Sequence, residues 1–427
     1  MVSKMLKKII PYTLVLYAVS LLTSMAGMEV FGWLTFLLTC VLLYSERQNP
    51  ETSKVLHFFT PADAAALVFL AVVLLAPLVN TPEPYNYWDI IGRGRWVLLF
   101  IGLRYALLLT KVEPTEKIIR VVFYFACGVS VYALFQHFTG IDLLHETNIR
   151  IEFTGQTKPF PAHRSIGMFN SSMTFANSFA VFLSLPFAFF ILAKKSDKKM
   201  RRLASLTATL AGLAVFSTFT RSGWLGGVFG ILACAFIYNR KVFLGTVLAI
   251  SFVVGLGVTF NPAIQTRFLT LFNPSYGSNS ERVTMWKANY AIFKDYPLLG
   301  IGYWENERVV TDYYKKLGIT DGFGGHAHNN FFQFLSGTGL VGTLAFYLFC
   351  ISLFIYSWRL WQLLRLEESW QRPFVLGSMG AQVALHFGGI GECTFKDAEI
   401  NHQLMLIFAM TLAIYYWRIY RPSYDRT

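Results

Sequence analysis

Charged residues and cysteines are scarce in this chain of 427 residues. Only 14% of the residues are Asp, Glu, Lys or Arg, whereas 54% are hydrophobic and 40 are Phe. This apolar content exceeds what the core of a soluble protein can hide, so a soluble globular fold is excluded. There are only five cysteines, without a CxxC pair, and only Cys393 lies outside the apolar runs. A disulfide framework and a cysteine-based metal site are therefore excluded.

Long apolar runs are what the chain has instead. A helix needs about 20 apolar residues to cross the hydrocarbon core of a bilayer. Twelve runs approach this length, although two of them, those from Val30 and Trp96, are short. The runs cover approximately residues 11–27, 30–44, 64–79, 96–110, 118–138, 173–193, 203–218, 223–237, 242–260, 331–356, 374–390 and 404–417. The sequence therefore predicts an all-α polytopic membrane protein with ten to twelve transmembrane helices.

The positive charge indicates an orientation in the membrane. The formal net charge is +13, and Lys and Arg concentrate in alternate connections between the apolar runs. The positive-inside rule then places both termini in the cytoplasm and makes membrane lipids a partner of the basic side. The first run is interpreted as a retained anchor and not as a signal peptide, since no small-residue cleavage site follows it. No basic stripe interleaved with aromatic residues is present, so we expect no nucleic-acid partner.

Two connections on the outer side are long. The first, residues 140–171, contains the stretch Thr157 to Arg164, whose prolines exclude a regular helix. The second, residues 261–330, is the candidate for a small folded cap. It divides the chain into residues 1–260 with nine transmembrane helices, the cap, and residues 331–427 with three more.

The cap contains the pattern of one amphipathic helix. Ser280 is a candidate N-cap, and Pro297 ends the pattern. We expect this helix to lie against the membrane surface. The apolar residues that recur at helical spacing are Val283, Trp286, Tyr290 and Phe293.

Two arginines lie at positions where a positive charge is costly, which suggests that they bind a charged substrate. Arg221 lies in a very short connection between two apolar runs, and Arg282 lies in the predicted first turn of the cap helix. A helix N-terminus favours an anion, and the planar guanidinium group makes paired hydrogen bonds to phosphate. Simpler explanations exist for both residues: Arg221 can extend to the membrane interface, and Arg282 can be a solvated surface residue.

Two histidines directly precede the tenth apolar run. A helix N-terminus disfavours imidazolium, so a neutral His328 is a candidate general base; its alternative is a capping or interface histidine. His326, two residues earlier, faces elsewhere if both residues are helical. No third His, Cys or carboxylate lies at ligand spacing, so we predict no bound metal.

Four short motifs, in their order and with a long outer loop before the last, resemble the bacterial O-antigen ligase and polymerase family of membrane glycosyltransferases. This resemblance implies a GT-C-like helical fold and a glycan donor carried on undecaprenyl diphosphate. It also implies transfer at the periplasmic face of the inner membrane, without a metal or another cofactor. The motifs are His163-Arg164-Ser-Ile-Gly167-Met-Phe-Asn170, Thr220-Arg221-Ser-Gly-Trp-Leu-Gly226, Ser280-Glu-Arg282 through Trp286 to Pro297-Leu-Leu-Gly-Ile-Gly302, and His328-Asn329-Asn-Phe-Phe with Gly337, Gly339 and Gly342.

The resemblance also implies catalytic roles. Arg221 and Arg282 would hold the diphosphate, and His328 would deprotonate the acceptor hydroxyl for an inverting displacement. The arginines would then stabilise the departing diphosphate, which is the largest contribution to such a rate.

Four further residues are candidates for substrate binding. Arg164, His326 and Asn329 lie within the motifs or beside them. Glu392, in the last outer turn, either bonds sugar hydroxyls or caps the last helix.

The acceptor distinguishes the two closest alternative functions, ligase and polymerase. A ligase transfers the glycan to a sugar of the lipid A core, whereas a polymerase joins it to another carrier-linked repeat. A single dominant outer loop of moderate length favours the ligase. A flippase of lipid-linked sugars is a further alternative, but its cations should line a central cavity between two related halves, and the sequence shows no half-repeat.

Overall fold

The computed structural model describes residues 2–81, 87–111, 116–145, 151–152, 162–192, 197–270, 273, 276–320, 322 and 324–420. These residues form sixteen α-helices, one 3₁₀ helix (Thr394–Lys396) and one short antiparallel ladder. The elements are α1 (Val2–Thr23), α2 (Met25–Ser45), α3 (Pro50–Leu56), α4 (Pro61–Asn80), α5 (Tyr87–Thr110), α6 (Glu116–Thr139), β1 (Ile151–Glu152), β2 (Ala162–His163), α7 (Ser172–Leu192), α8 (Lys198–Phe216), α9 (Arg221–Tyr238), α10 (Arg240–Phe260), α11 (Pro262–Leu269), α12 (Gly277–Asp295), α13 (Asn306–Lys316), α14 (Asn330–Leu363), α15 (Gln371–Gly388) and α16 (Ala398–Tyr420).

Each of the twelve apolar runs is a helix in the structure. Nine helices of the described residues are long and apolar enough to cross a membrane, namely α1, α2, α4, α6, α7, α9, α10, α14 and α16. The other three, α5, α8 and α15, are less apolar. Three arginines lie on α5, a basic cluster opens α8, and glycine and glutamine interrupt α15. The predicted class, an all-α polytopic membrane protein, is confirmed.

Small residues bring α7, α9 and α15 into close contact. A side chain at Gly226 of α9 would meet the backbone oxygen of Ala384 at 2.8 Å, and one at Gly230 would meet Ser184 Oγ at 2.6 Å. On α15, a side chain at Gly380 would collide with Cys234 Sγ. Close backbone approach through small residues is the usual way in which membrane helices pack. These three helices therefore form a rigid base for the segments at their ends.

The ends of four helices meet at one end of the bundle. The N-termini of α7, α9 and α14 lie there with the C-terminus of α15. The Asn330 N–H that begins α14 donates to the Gly389 carbonyl at 2.8 Å, just after α15. A side chain at Gly388 would meet Asn177 of α7 at 3.1 Å and the Ser222 carbonyl of α9 at 3.5 Å. The residues predicted from separate motifs thus share one end of the fold.

Helices α11, α12 and α13 form the connection between α10 and α14. Buried apolar residues of α12 and α13 pack into a small core of their own that includes Met285, Ile292 and Val310. The predicted N-cap is wrong: α12 begins at Gly277, and Ser280 Oγ donates to the Gly277 carbonyl. Arg282 therefore lies in the second turn, beyond the free N–H groups of the helix start.

A glycine-rich segment joins the cap to α14 through backbone contacts. The N–H of Ile301 donates to Ser336 O at 3.0 Å, and that of Gly302 donates to Gly337 O at 2.9 Å. Gly300 and Gly339 adopt positive φ angles of 71° and 60°, and a side chain at either would collide with the opposing backbone. These glycines let two stretches of backbone touch, which fixes the cap on the bundle.

The first long outer connection is described only in part. His163 lies in β2 and pairs with Ile151 of β1. The proline-rich part of the predicted irregular stretch, Thr157 to Pro161, lies outside the described residues.

Candidate active site

Two histidines and one carboxylate form a cluster at this end of the bundle. His326 Nε2 lies 2.6 Å from Glu392 Oε1, and His328 Nδ1 lies 2.9 Å from Glu392 Oε2. The two imidazole rings are 4.1 Å apart between centroids. Glu392 is 4% exposed, while both histidines are partly exposed. A buried carboxylate therefore supports two histidine rings that remain accessible.

The chain holds the cluster from three sides. Asn329 caps α14 by accepting the Phe332 N–H, and its amide donates to the Ile390 carbonyl at 2.9 Å. The indole N–H of Trp286, on α12, donates to the Ala327 carbonyl between the two histidines at 3.1 Å. His328 has a φ angle of 47°, which is uncommon for a residue with a side chain. The backbone around His328 is thus fixed by the cap, by α14 and by the turn after α15.

The condition under which His326 would face away from His328, a helical backbone at both residues, is not met, because α14 begins only at Asn330. Both rings instead meet the carboxylate of Glu392. The expectation that no third ligand lies near the pair is wrong, since the ligand atoms of His326, His328 and Glu392 all lie within 4.8 Å of one another. Two histidines with one carboxylate match the ligand set of some catalytic zinc sites.

Burial and charge shift two pKa values in the cluster in opposite directions. Burial alone would raise the pKa of Glu392, but hydrogen bonds and charge from His326 and His328 outweigh it, so this pKa lies well below its ordinary value. Burial alone would lower the pKa of His326, but the hydrogen bond to Glu392 outweighs it, so the pKa of His326 is raised. Glu392 is therefore ionised at neutral pH and draws a proton towards His326.

Arg282 supplies a positive charge that interacts with Glu392 of this cluster. Its Nε is buried and has no hydrogen-bond partner among the described residues. Burial lowers the pKa of Arg282, and the charge of Glu392 partly offsets that effect, so the two groups share one electrostatic environment. Buried polar groups without partners are rare in proteins and often mark functional positions. Arg282 is consistent with a binding position for an anion within the electrostatic reach of Glu392.

Arg221 contacts the cap instead of water. Its side chain is 7% exposed, and it donates to the Thr270 carbonyl at 3.1 Å and to Ser278 Oγ at 2.7 Å. The alternative of extension to the membrane interface is therefore wrong. Ser278 lies one helical turn before Arg282 on α12, so Arg221 fixes the start of the helix that carries Arg282. The predicted contact of Arg221 with a diphosphate remains a prediction.

Arg164 holds the turn that precedes α9. Its Nε donates to the Thr218 carbonyl at 2.9 Å, and its Nη2 donates to Thr220 Oγ1 at 3.0 Å. The side chain is 4% exposed. Arg164 therefore positions the turn from which Arg221 emerges.

Glu392 does not cap the last helix, because its carboxylate oxygens bond the two histidines and the Cys393 N–H. Asn329 and not His328 caps α14, so the capping alternative for His328 is wrong as well. A role for Asn329, His326 or Glu392 in binding sugar remains a prediction.

A buried polar network that was not predicted from the sequence lies behind the cluster. Gln333, on α14, accepts the Ala327 N–H at 3.0 Å and exchanges hydrogen bonds with Asn306 of α13. Glu307 accepts from Gln333 and pairs with Lys396, which follows Glu392 in the last outer turn. A polar side chain inside an apolar run is costly to bury in a membrane protein, so the position of Gln333 within the run 331–356 could have marked it as a candidate functional residue.

The fold and the cluster together define a polytopic membrane protein with a charged site at one end of its helix bundle, covered by a helical cap. The family model described as O-antigen ligase matches residues 204–347. The match confirms the resemblance of this chain to the O-antigen ligase and polymerase family. It includes Arg221, Arg282 and both histidines, whereas Arg164 and Glu392 lie outside it. A comparison with curated proteins gives no match.

Proposed function

We propose that this protein is an O-antigen ligase that transfers a glycan from undecaprenyl diphosphate to a sugar hydroxyl of the lipid A core. The reaction takes place at the periplasmic face of the bacterial inner membrane, with both termini in the cytoplasm. The observation that carries the proposal is the pair of partly exposed histidines on the buried Glu392, whose charge also acts on Arg282, a guanidinium with a buried and unpartnered Nε among the described residues. An acid–base group and an anion-binding group next to each other are what transfer from a diphosphate requires.

His328 acts as the general base. A carboxylate at Nδ1 favours the tautomer that carries hydrogen on Nδ1 and leaves Nε2 as the proton acceptor. His328 Nε2 takes the proton of the acceptor hydroxyl as the hydroxyl oxygen bonds to the anomeric carbon of the donor. The bond from that carbon to the diphosphate oxygen breaks with its electron pair, and the anomeric configuration inverts. Glu392 stabilises the imidazolium that forms.

The arginines act on the leaving group. Arg282 donates hydrogen bonds to the diphosphate and stabilises the negative charge that develops on it. Arg221 adds positive charge at Ser278, one helical turn before Arg282, and keeps the start of α12 in place. Arg164 supports Arg221 through the turn at Thr218 and Thr220.

The proposed reaction needs no metal. Each oxygen of Glu392 lies at hydrogen-bond distance from one histidine nitrogen, so direct hydrogen bonds account for the three groups. If a metal occupied His326, His328 and Glu392, a chelator would abolish turnover, and this part of the proposal would fail.

A reconstituted reaction tests the function. Purified protein receives a polyprenyl-diphosphate glycan together with either lipid A core or a second carrier-linked repeat, with a chelator present. We expect glycan on lipid A core. Product on the carrier-linked repeat would identify a polymerase, which is the runner-up function. Scrambling of the carrier lipid in liposomes without any glycan product would identify a flippase.

A further inference from the structure

A cavity of about 920 Å³ lies at the end of the bundle opposite the candidate active site. The N-terminus of α14 carries that site, whereas Tyr356 and Arg359, in the last turns of α14, line this cavity. The other walls include α3, the C-terminal ends of α5 and α16, and Lys7 of α1. Three long helices therefore end around one space, which we call the basal cavity.

The walls of the basal cavity carry more positive than negative charge. Both carboxylates of the lining lie beside a lysine of the lining, so these charges balance. Lys111 and Arg359 also line the cavity, are exposed, and form no ion pair with another described residue. Two positive charges therefore remain for an anion. The balanced pairs are Glu46 with Lys7 at 2.6 Å and Glu51 with Lys54 at 3.5 Å.

Tyrosine side chains add hydrogen-bond donors to the same space. Tyr356 and Tyr415 pack edge to face at 4.7 Å, and Tyr416 packs on Phe58 at 5.0 Å. These contacts use the rings, and the hydroxyl groups of the three tyrosines make no hydrogen bond to another described residue. Phosphate oxygens accept hydrogen bonds from hydroxyl, ammonium and guanidinium groups. The lining of the basal cavity therefore suits a phosphate group.

An exposed apolar stripe on α14 leads to Arg359. Its four residues follow one face of the helix at spacings of four, three and four, and Arg359 comes four residues after the last of them. A hydrocarbon chain on this stripe would place an anionic headgroup at Arg359, whereas a free phosphate compound would not use the stripe. The residues of the stripe are Leu344, Leu348, Ile351 and Ile355, each between 44% and 54% exposed.

We propose that the basal cavity binds the headgroup of an anionic phospholipid, with Lys111 and Arg359 on its phosphate. Arg359 makes paired hydrogen bonds to two phosphate oxygens, and Lys111 adds a point charge. Basic pockets between transmembrane helices are a common way to hold such headgroups. The proposal does not rest on the proposed function, because the cavity lies at the other end of the bundle.

Lipid binding to the purified full chain tests the proposal. Native mass spectrometry measures the affinity of the tightest site for phosphatidylglycerol and for phosphatidylcholine in a non-ionic detergent. We expect wild type to prefer phosphatidylglycerol, and Lys111→Gln/Arg359→Gln to lose at least about tenfold in affinity for it, the loss expected for two basic groups beside an anionic lipid. Equal affinity of wild type for the two lipids, or unchanged affinity in the glutamine variant, overturns the proposal.

Arg240→Gln/Lys241→Gln is the matched control. It removes one arginine and one lysine from exposed positions at the start of α10, outside the cavity lining. Because α10 begins directly after α9 ends, these residues lie at the same end of the bundle as the cavity. We expect wild-type affinity for phosphatidylglycerol. A tenfold loss in this variant would show a general effect of positive charge and would overturn the proposal.

Competition distinguishes a lipid from a free phosphate compound. Inorganic phosphate and glycerol 3-phosphate are added to wild type with bound phosphatidylglycerol. We expect the lipid to stay bound at concentrations of competitor similar to that of the lipid. Displacement under these conditions would identify a soluble phosphate compound as the ligand and would overturn the assignment to a lipid.

Thermal melts keep the proposal testable if the glutamine variant is less stable than wild type. Lys111→Arg/Arg359→Lys retains both charges. Since a ligand of the native state raises the Tm, phosphatidylglycerol should raise the Tm of this variant and of wild type more than phosphatidylcholine does. The absence of this difference in either protein would overturn the proposal.

Discussion

Replacing Glu392 with glutamine tests how the candidate site prepares its base. The carboxylate accepts hydrogen bonds from both histidines at 2.6 and 2.9 Å. A glutamine side chain has the same shape but offers one acceptor oxygen and one NH₂ donor, so it can accept from only one of the two rings. The other ring must change its tautomer or lose its partner.

The expected loss follows from one hydrogen bond. A hydrogen bond to a charged group contributes roughly 1.5–3 kcal/mol. Losing the bond that orients His328 therefore lowers kcat about 10- to 150-fold, at about 1.4 kcal/mol for each factor of ten. Donor affinity should change little, because in this account Glu392 supports the base and does not touch the diphosphate.

The assay combines glycan-transfer kinetics with a histidine titration by NMR. Glu392 raises the pKa of His326 in the wild type, so we expect the pKa of His326 to fall in Glu392→Gln. Glu367→Gln is the control, since Glu367 pairs with Arg418 at the other end of the bundle at 2.8 Å. Full activity in Glu392→Gln, or an unchanged His326 titration, would refute the reasoning.

Three further predictions concern binding, folding and pH. Arg282→Ala should lower kcat/KM about 100-fold or more by removing charge-assisted bonds to the diphosphate, and the kcat/KM of Arg282→Lys should fall between that of Arg282→Ala and that of wild type. Arg308→Ala is the control, and equal activity in Arg308→Ala, Arg282→Ala and wild type would contradict this prediction. Gly300→Ala should lower the Tm more than Gly318→Ala. Both positions have a positive φ, so alanine costs about 1–3 kcal/mol of backbone strain at either, but only at Gly300 would the new side chain also collide with α14. The raised pKa of His326 means that its bond to Glu392 contributes fully below pH 6.5 and is lost as pH rises through the folded-state pKa. Thermal melts should thus show the Tm advantage of wild type over His326→Asn shrinking as pH rises above 6.5, and a constant advantage would be evidence against it.

The sequence predicted the helices well because each apolar run carries its own signal. Hydrophobic length and a polar flank are local properties, so the runs that became α7, α9 and α14 could be found without tertiary information. The short run from Trp96 became the longer α5, because arginines that looked like a connection continue the helix as far as Tyr87.

The site was predictable in its residues but not in its contacts. His328, Arg221 and Arg282 each stood out locally, whereas their partners come from distant parts of the chain. Glu392 lies 64 residues after His328 and meets it only because the turn after α15 packs on the start of α14. No spacing rule reports such a contact.

The start of α12 was misplaced for a different reason. Ser280 has the chemistry of an N-cap, but the segment from Gly277 is already helical, and Arg221 donates to Ser278 in its first turn. A tertiary contact thus decided the helix boundary over the local preference.

The most direct test of the account separates donor binding from chemistry in His328→Ala. We expect the Kd for the polyprenyl-diphosphate glycan to stay within about twofold of wild type, while kcat falls by about 10² to 10⁴, the range that a general base contributes. Normal turnover, or a loss of activity explained entirely by weaker donor binding, would contradict the assignment of His328 as the base.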